Sequence, residues 1–134
     1  MRNVIAGVHG TIYLLLGIVG LALNPLGGLL LGVFAVNPFH HFFHLALGAF
    51  GLVTAKLDRG RLYCQVAGVI LLLLGTLGFA APTLVADLMA GPNTNIITDN
   101  LLHLVTGVAL TYFGFLPDAA AAPTRQIAQQ LNKK

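Results

Sequence analysis

The chain has 134 residues, of which 57% are hydrophobic and only 8% are charged, and its formal net charge is +3. A soluble domain carries roughly 25% charged residues, and a chain this short leaves a large share of its surface exposed. The composition therefore excludes an ordinary soluble domain and indicates that bilayer hydrocarbon is the solvent. The seven Lys and Arg residues are too few to form the basic face of a nucleic-acid-binding protein, so no nucleic-acid partner is expected.

Four apolar segments are each long enough to cross the hydrocarbon core as a helix, which takes about 20 residues. In chain order they are Val4–Leu23, Phe39–Lys56, Leu62–Ala81 and Asp99–Leu116. They are continuously apolar rather than alternating, which favours helices over the strands of a membrane β-barrel. The sequence predicts an all-α integral membrane four-helix bundle over residues 1–116, followed by a cytoplasmic tail over residues 117–134.

The connections between these segments differ in character. The first, Asn24–Asn37, is rich in glycine and apolar residues, and we expect it to lie at the membrane interface or to re-enter slightly. The second, Lys56–Arg61, is a tight polar turn, and the third, Thr83–Thr98, is predicted to be a loop. With four spans, all seven Lys and Arg residues fall on the side of the two termini and the second connection. Because positive charge marks cytoplasmic segments, both termini are predicted to be cytoplasmic.

The two halves of the sequence resemble each other at a spacing of 58 to 59 residues. Gly10–Gly20 resembles Gly68–Gly78, and His41–Gly48 resembles Asn100–Gly107. Each half has two spans, which predicts two repeated helical hairpins related by a pseudo-twofold axis along the membrane normal. Glycines at heptad spacing also give the predicted helices small-residue seams for close packing. These pairs are Gly10/Gly17, Gly68/Gly75 and Gly107/Gly114.

Four of the five histidines lie at the non-cytoplasmic ends of the second and fourth predicted spans. Asn37 is a good N-cap for the second span, and Pro38 is a good first helical residue. His40 and His44 then share one face of this helix because they are four residues apart. The second span is therefore predicted to present two histidines toward a single neighbour.

The fourth span carries a matching polar group, in which Asp99 and His103 are four residues apart on one face. Thr98 or Asp99 is expected to cap this helix. The repeat aligns His40 with Asp99 and His44 with His103. We therefore expect His44 and His103 to face each other near the axis, with His40 and Asp99 one turn away.

Three hypotheses for these polar residues are open. In the first, they cap helix ends and hydrogen-bond across the bundle, as polar side chains do in membranes. In the second, a divalent transition ion is bound, because imidazole and carboxylate groups are suitable ligands for zinc and similar ions. Its ligands would be His40, His44, Asp99 and His103. In the third, His40, His44 or His103 binds the metal of a haem or chlorophyll beside neighbouring phenylalanines.

Two further residues have simpler interpretations. His9 lies about two turns into the first span without a counterpart in the repeat, so we expect it to hydrogen-bond within the bundle. Cys64 is the only cysteine, which excludes an intrachain disulfide, and it is predicted to be a small buried residue. The chain has no serine, no P-loop and no Rossmann fingerprint, and a non-enzymatic protein is expected.

Two stretches resemble the DUF4383 family. Val36–Leu45 and Thr98–Leu104 are similar to its repeated pattern of Asn and His residues, and the resemblance extends over about Gly7–Phe115. His41 departs from the pattern, which usually has Asn there, whereas Asn100 keeps it. The resemblance implies a small bacterial membrane protein, of a kind seen in actinobacteria and cyanobacteria, whose function is uncharacterised.

The expected role is that of a non-enzymatic accessory or structural subunit of a larger membrane complex, because little of the chain lies outside the bilayer. Its partners would be the lipid bilayer and other membrane-protein subunits. The expected location is a bacterial inner membrane or a cyanobacterial thylakoid, and in a photosynthetic host the histidines would lie near pigment. The alternative is a metal- or haem-binding membrane protein that uses the His/Asp cluster of the second and fourth spans.

Overall fold

The computed structural model describes residues 1–91 and 96–117, which form five helices and one two-stranded β-hairpin. In chain order these are α1 (Arg2–Leu23), β1 (Gly28–Leu30), β2 (Phe34–Val36), α2 (Pro38–Lys56), α3 (Gly60–Ala80), α4 (Pro82–Met89) and α5 (Ile97–Phe115). The four long helices α1, α2, α3 and α5 begin and end within two residues of the apolar segments of the sequence. Apart from Pro117, the predicted tail lies outside the described residues.

The first connection forms the antiparallel hairpin β1–β2, in which Gly28 lies opposite Val36 and Leu30 opposite Phe34. The fold is therefore mostly helical rather than purely all-α. Gly27 and Gly28 have φ values of +103° and +133°, a region that glycine enters without steric cost. Pairing of the two strands satisfies part of the backbone hydrogen bonding of this apolar, glycine-rich segment, and the N–H of Ala35 donates to the side chain of Asp99 instead.

The third connection contains the eight-residue helix α4 where the sequence predicted a loop. Pro82 is its first residue, a position where proline loses no hydrogen bond. Val85, Ala86 and Met89 are buried on one face of α4 and pack with Ala35 of β2. The spacing of these three apolar residues and the proline in the first turn account for the helix. Helix α4 covers the hairpin.

Glycines allow α1 and α2 to pack with their backbones in contact. A Cβ added at Gly48 would lie 2.7 Å from Cα of Leu14 and 2.8 Å from the carbonyl oxygen of Gly10. A Cβ added at Gly51 would lie 2.7 Å from Cα of Gly10. No larger residue fits these positions unless the helices separate. Such close approach provides van der Waals packing where the hydrophobic effect does not drive helices together.

The pair α3–α5 has the corresponding contacts. A Cβ added at Gly107 would lie 2.6 Å from the amide nitrogen of Leu72, and one at Gly68 would lie 2.6 Å from that of Thr111. Leu72 is 58 residues after Leu14, and Gly107 is 59 residues after Gly48. The glycine contacts of α1–α2 and α3–α5 thus involve residues 58 to 59 positions apart, the same spacing as the similar stretches of the sequence.

Many large apolar side chains of the long helices face outward, whereas glycines and several polar residues face inward around a small apolar core that includes Leu47, Leu71 and Leu110. On α5 the exposed stripe comprises Ile97, Leu101, Val105, Val108, Tyr112 and Phe115. Two helices in residues 1–91 and 96–117, α1 and α3, are long and apolar enough to cross a membrane. Within the most apolar stretches of α1 and α3, 28% and 39% of the residues are buried. The buried His, Asp and Asn side chains lie on α2 and α5.

Candidate metal centre

Helices α2 and α5 bring three histidines together. The side chain of Asn37 accepts a hydrogen bond of 2.9 Å from the backbone N–H of His40, which confirms the predicted N-cap before Pro38. This cap starts the helix so that His40 and His44 lie one turn apart on its inward face, with ring centroids 4.3 Å apart. His103 of α5 approaches the same place, and its ring centroid is 5.7 Å from that of His40.

The three imidazoles have a donor arrangement close to that of a metal site. One ring nitrogen from each of His40, His44 and His103 lies within 4.8 Å of the other two, and the residues are only 1%, 4% and 2% exposed. Tetrahedral ligands with metal–nitrogen bonds of about 2.0–2.1 Å lie roughly 3.3 Å apart. Bringing the three nitrogens onto one ion therefore needs inward ring movements of about 1 Å or less.

Hydrogen bonding leaves the nitrogens that face this cluster without partners. Nδ1 of His40 lies 3.1 Å from the carbonyl oxygen of Met89, and because a carbonyl only accepts, Nδ1–H donates. The lone pair of this ring is then on Nε2. Metal-binding histidines are commonly oriented in this way, because the ring nitrogen that does not bind the metal donates a hydrogen bond to a neighbouring acceptor. Nε2 of His40, both ring nitrogens of His44 and Nδ1 of His103 are buried without a hydrogen-bond partner among the described residues. Buried polar atoms are normally paired, and one bound cation would take a single nitrogen from each ring, three of these four. Outside the cluster, Nδ1 of His41 and the side-chain amide of Asn100 also have no partner among the described residues.

Asp99 borders the cluster but is not one of the three mutually close donors. Its Oδ2 accepts a hydrogen bond of 3.0 Å from the backbone N–H of Ala35, which ties α5 to strand β2. The predicted cap of α5 by Thr98 or Asp99 is wrong, because the helix begins after Ile96 without a side-chain cap. The hairpin competes for the carboxylate and binds it instead.

A cavity of about 180 Å³ adjoins the cluster. Its lining consists of Leu16, Leu30, Phe34, His40, His44, Asp99, Leu102 and His103. Pockets for drug-sized molecules have volumes of about 300–1,000 Å³, so this space suits an ion with small ligands better than a tetrapyrrole. All three histidines are buried, with exposures of 1%, 4% and 2% for His40, His44 and His103.

His41 lies outside the cluster and connects α2 to the end of α1. Its Nε2–H donates to the carbonyl oxygen of Asn24 over 2.9 Å, and its ring fills the space above Gly20. In the second half, Asn100 lies against Gly78 in the same way. His41 and Asn100 thus occupy equivalent places in the repeat, and neither belongs to the three-histidine group.

An aromatic row adjoins the cluster on the other side. Nδ1 of His9 lies 2.6 Å from the hydroxyl oxygen of Tyr63, which confirms that His9 is hydrogen-bonded within the bundle. Tyr13, which we did not predict to be near the site, stacks on His9 at 4.2 Å and meets the His44 ring edge-on at 5.0 Å. The spacing of four residues between His9 and Tyr13 places both on one face of α1 and was the available signal. Cys64 is buried and free, as predicted.

Comparisons with known proteins identify a family for nearly the whole described chain. Residues 3–116 match the family described as "Domain of unknown function (DUF4383)". No curated protein and no solved structure matches the chain. The match covers well over half of the 134 residues and agrees with the resemblance of the two His/Asn stretches. The chain belongs to the DUF4383 family.

Proposed function

We propose that the protein is a four-helix membrane bundle built from two repeated hairpins, α1–α2 and α3–α5, about a pseudo-twofold axis along the membrane normal. Equivalent glycine contacts in the two halves support the repeat. The outward apolar stripes and inward polar residues support a bilayer surrounding all four long helices, since a soluble bundle has the opposite distribution.

We further propose that both termini are cytoplasmic. Arg2 and Arg61 donate to the carbonyl oxygens of Phe113 and Gly114, so they lie at the end of the bundle where α5 finishes. The histidines lie at the opposite end, near the start of α2. This separation of basic residues from the histidine cluster supports the orientation given by the positive-inside rule.

Within this bundle, the proposed function is the binding of one divalent transition-metal ion by His40, His44 and His103. One observation carries the proposal: three buried imidazoles place ring nitrogens within 4.8 Å of one another, and four of their ring nitrogens have no hydrogen-bond partner in the described structure. Imidazole ligands favour zinc, copper, iron or nickel over magnesium and calcium, which prefer oxygen. The protein would hold the ion in the low-dielectric interior of the bundle.

The accessory-subunit role stays a prediction. Lipid and a neighbouring subunit would cover the outward apolar stripes equally well, so these stripes do not distinguish a free bundle from part of a complex. The metal-binding role is preferred because one ring nitrogen from each of three buried imidazoles lies within 4.8 Å of the other two, a convergence that a purely structural role does not require.

The test is metal analysis of the full chain, purified in detergent without chelators and then offered Zn²⁺, Cu²⁺, Ni²⁺ and Co²⁺ in turn. We expect about one tightly bound ion per chain in the wild type and at least a tenfold loss of affinity in His44→Asn. The matched control is His41→Asn, which makes the same change outside the cluster, where the repeat itself has Asn100.

Thermal unfolding and gel filtration establish that each variant is folded before its metal content is compared. Wild-type protein that binds none of the four ions stoichiometrically would refute the proposal. Equal metal content in His44→Asn and the wild type would also refute it.

A further inference from the structure

The three-histidine group leaves part of a metal ion's coordination sphere unfilled. Zinc and similar ions take at least four ligands, and sites with three protein ligands keep the fourth position for an exogenous one. Asp99 lines the adjoining cavity, but among the described residues it is not part of the mutually close group, and its Oδ2 accepts a hydrogen bond from the N–H of Ala35. Within residues 1–91 and 96–117, no fourth donor belongs to the mutually close group, which leaves a coordination position for an exogenous ligand.

The adjoining cavity is where such a ligand fits. The histidine rings and Asp99 form its polar side, and Leu16, Leu30, Phe34 and Leu102 form its apolar side. A water molecule takes about 30 Å³ in the liquid. A space of about 180 Å³ has room for about six atoms of this size, so beside the ion it holds a ligand of about five heavy atoms or fewer.

Charge balance selects the kind of ligand. Three neutral imidazoles leave the two positive charges of a divalent ion uncompensated. Asp99 contributes at most one negative charge, so at least one positive charge stays in a buried, largely apolar space. An uncompensated buried charge is strongly unfavourable. A small ligand that carries one negative charge removes this cost.

We propose that the cavity beside His40, His44 and His103 binds one small monoanion, with an oxygen or nitrogen donor, as the exogenous ligand of the metal ion. This inference rests on the proposed metal site. The apolar walls limit the size of the anion. Because Asp99 contributes one negative charge, an anion with a single negative charge is enough to neutralise the divalent ion. The site is thus open and able to exchange its ligand, in contrast to a structural metal site closed by protein donors.

The experiment uses Co²⁺-loaded full chain in detergent, because the visible absorption bands of Co²⁺ respond to changes in its ligands. Sodium azide is the probe. We expect the wild-type bands to shift saturably with added azide, at an unchanged ratio of one Co²⁺ per chain. If Co²⁺ binds stoichiometrically and azide leaves the bands unchanged, the open site is refuted while the metal-binding proposal survives. If no Co²⁺ or other ion binds, both fail.

A pair of adjacent leucines controls for the cavity. Leu102→Phe adds bulk inside it, whereas Leu101→Phe adds the same bulk on the exposed face of α5. We expect Leu102→Phe to keep its Co²⁺ and to need at least tenfold more azide for half-saturation. Leu101→Phe should behave as the wild type. Equal azide affinity in the two variants would show that azide binds elsewhere and overturn the assignment.

Asp99→Asn distinguishes a metal site that is open to an exogenous ligand from a site in which the Asp99 carboxylate is the fourth ligand. If Asp99 only contributes charge, the variant keeps the wild-type Co²⁺ spectrum before azide is added. It then binds azide more tightly, because one negative charge has been removed. A changed spectrum before azide addition would identify Asp99 as the fourth ligand and overturn the proposal.

Discussion

His9 of α1 and Tyr63 of α3 join the two helix pairs through a hydrogen bond of 2.6 Å between Nδ1 of His9 and the hydroxyl oxygen of Tyr63. The internal repeat does not contain this contact, because Ala67 stands where the second half would need a histidine. Tyr13 stacks on His9 and touches His44, so the contact also supports the histidine cluster from the α1 side.

We expect Tyr63→Phe to lower the free energy of unfolding by about 1–2 kcal/mol, because it leaves Nδ1 of His9 without its partner. Unfolding by sodium dodecyl sulfate in mixed micelles measures the change. Tyr112→Phe is the matched control, since Tyr112 is 62% exposed on α5. A loss of the same size in the control would mean that the His9–Tyr63 bond contributes nothing of its own.

The glycine seam predicts opposite outcomes for two alanine substitutions. Gly48→Ala places a methyl group against the backbone of α1, which cannot yield unless the helices separate. We expect a loss of about 1–3 kcal/mol or more, as for overpacked cores. Gly7→Ala meets only Cβ of Ala55 at 3.6 Å, an ordinary contact.

In Gly7→Ala the helix propensity of alanine should leave stability unchanged or raise it by up to about 1 kcal/mol. The same micelle unfolding assay compares both variants. If Gly48→Ala proves as stable as Gly7→Ala, the close approach of α1 and α2 is not needed for stability.

Asp99→Ala should release the hairpin from α5. Its Oδ2 accepts from the N–H of Ala35, so the substitution removes the partner of that amide. Hydrogen–deuterium exchange should then be at least tenfold faster at Ala35, a change of about 1.4 kcal/mol in local opening. Asp87→Ala, on the exposed side of α4, is the control and should leave exchange at Ala35 unaltered. Unchanged protection in Asp99→Ala would argue against the tether.

The orientation predicts labelling from opposite sides of the membrane. In a Cys64→Ala background, Val33→Cys in the hairpin turn should react with an impermeant maleimide added to intact cells. Leu57→Cys, after the end of α2, should react only once the membrane is permeabilised. Both original side chains are exposed, so access is comparable. Labelling of both cysteines from the same side would contradict the four-span arrangement.

The sequence by itself determined the local features of this protein. Continuous apolar runs set the four long helices, and Asn37 before Pro38 set the start of α2. The four-residue spacing of His40 and His44 placed them on one face. These features depend on residues within a few turns of one another, so helix periodicity and capping chemistry are enough to predict them.

The repeat in the sequence had already predicted that His103 would face His44, and the structure places His103 beside both His40 and His44. Only the tertiary structure decided the contacts that the repeat does not contain, such as that of Tyr13 with His44. The tertiary structure also shows that the carboxylate of Asp99 accepts a hydrogen bond from the N–H of Ala35. Local reasoning had assigned this carboxylate to the cap of α5. The reason is physical: the glycine seams fix how closely and in what register the helices pack, and that register joins residues tens of positions apart. Composition and local spacing carry no direct record of such long-range contacts.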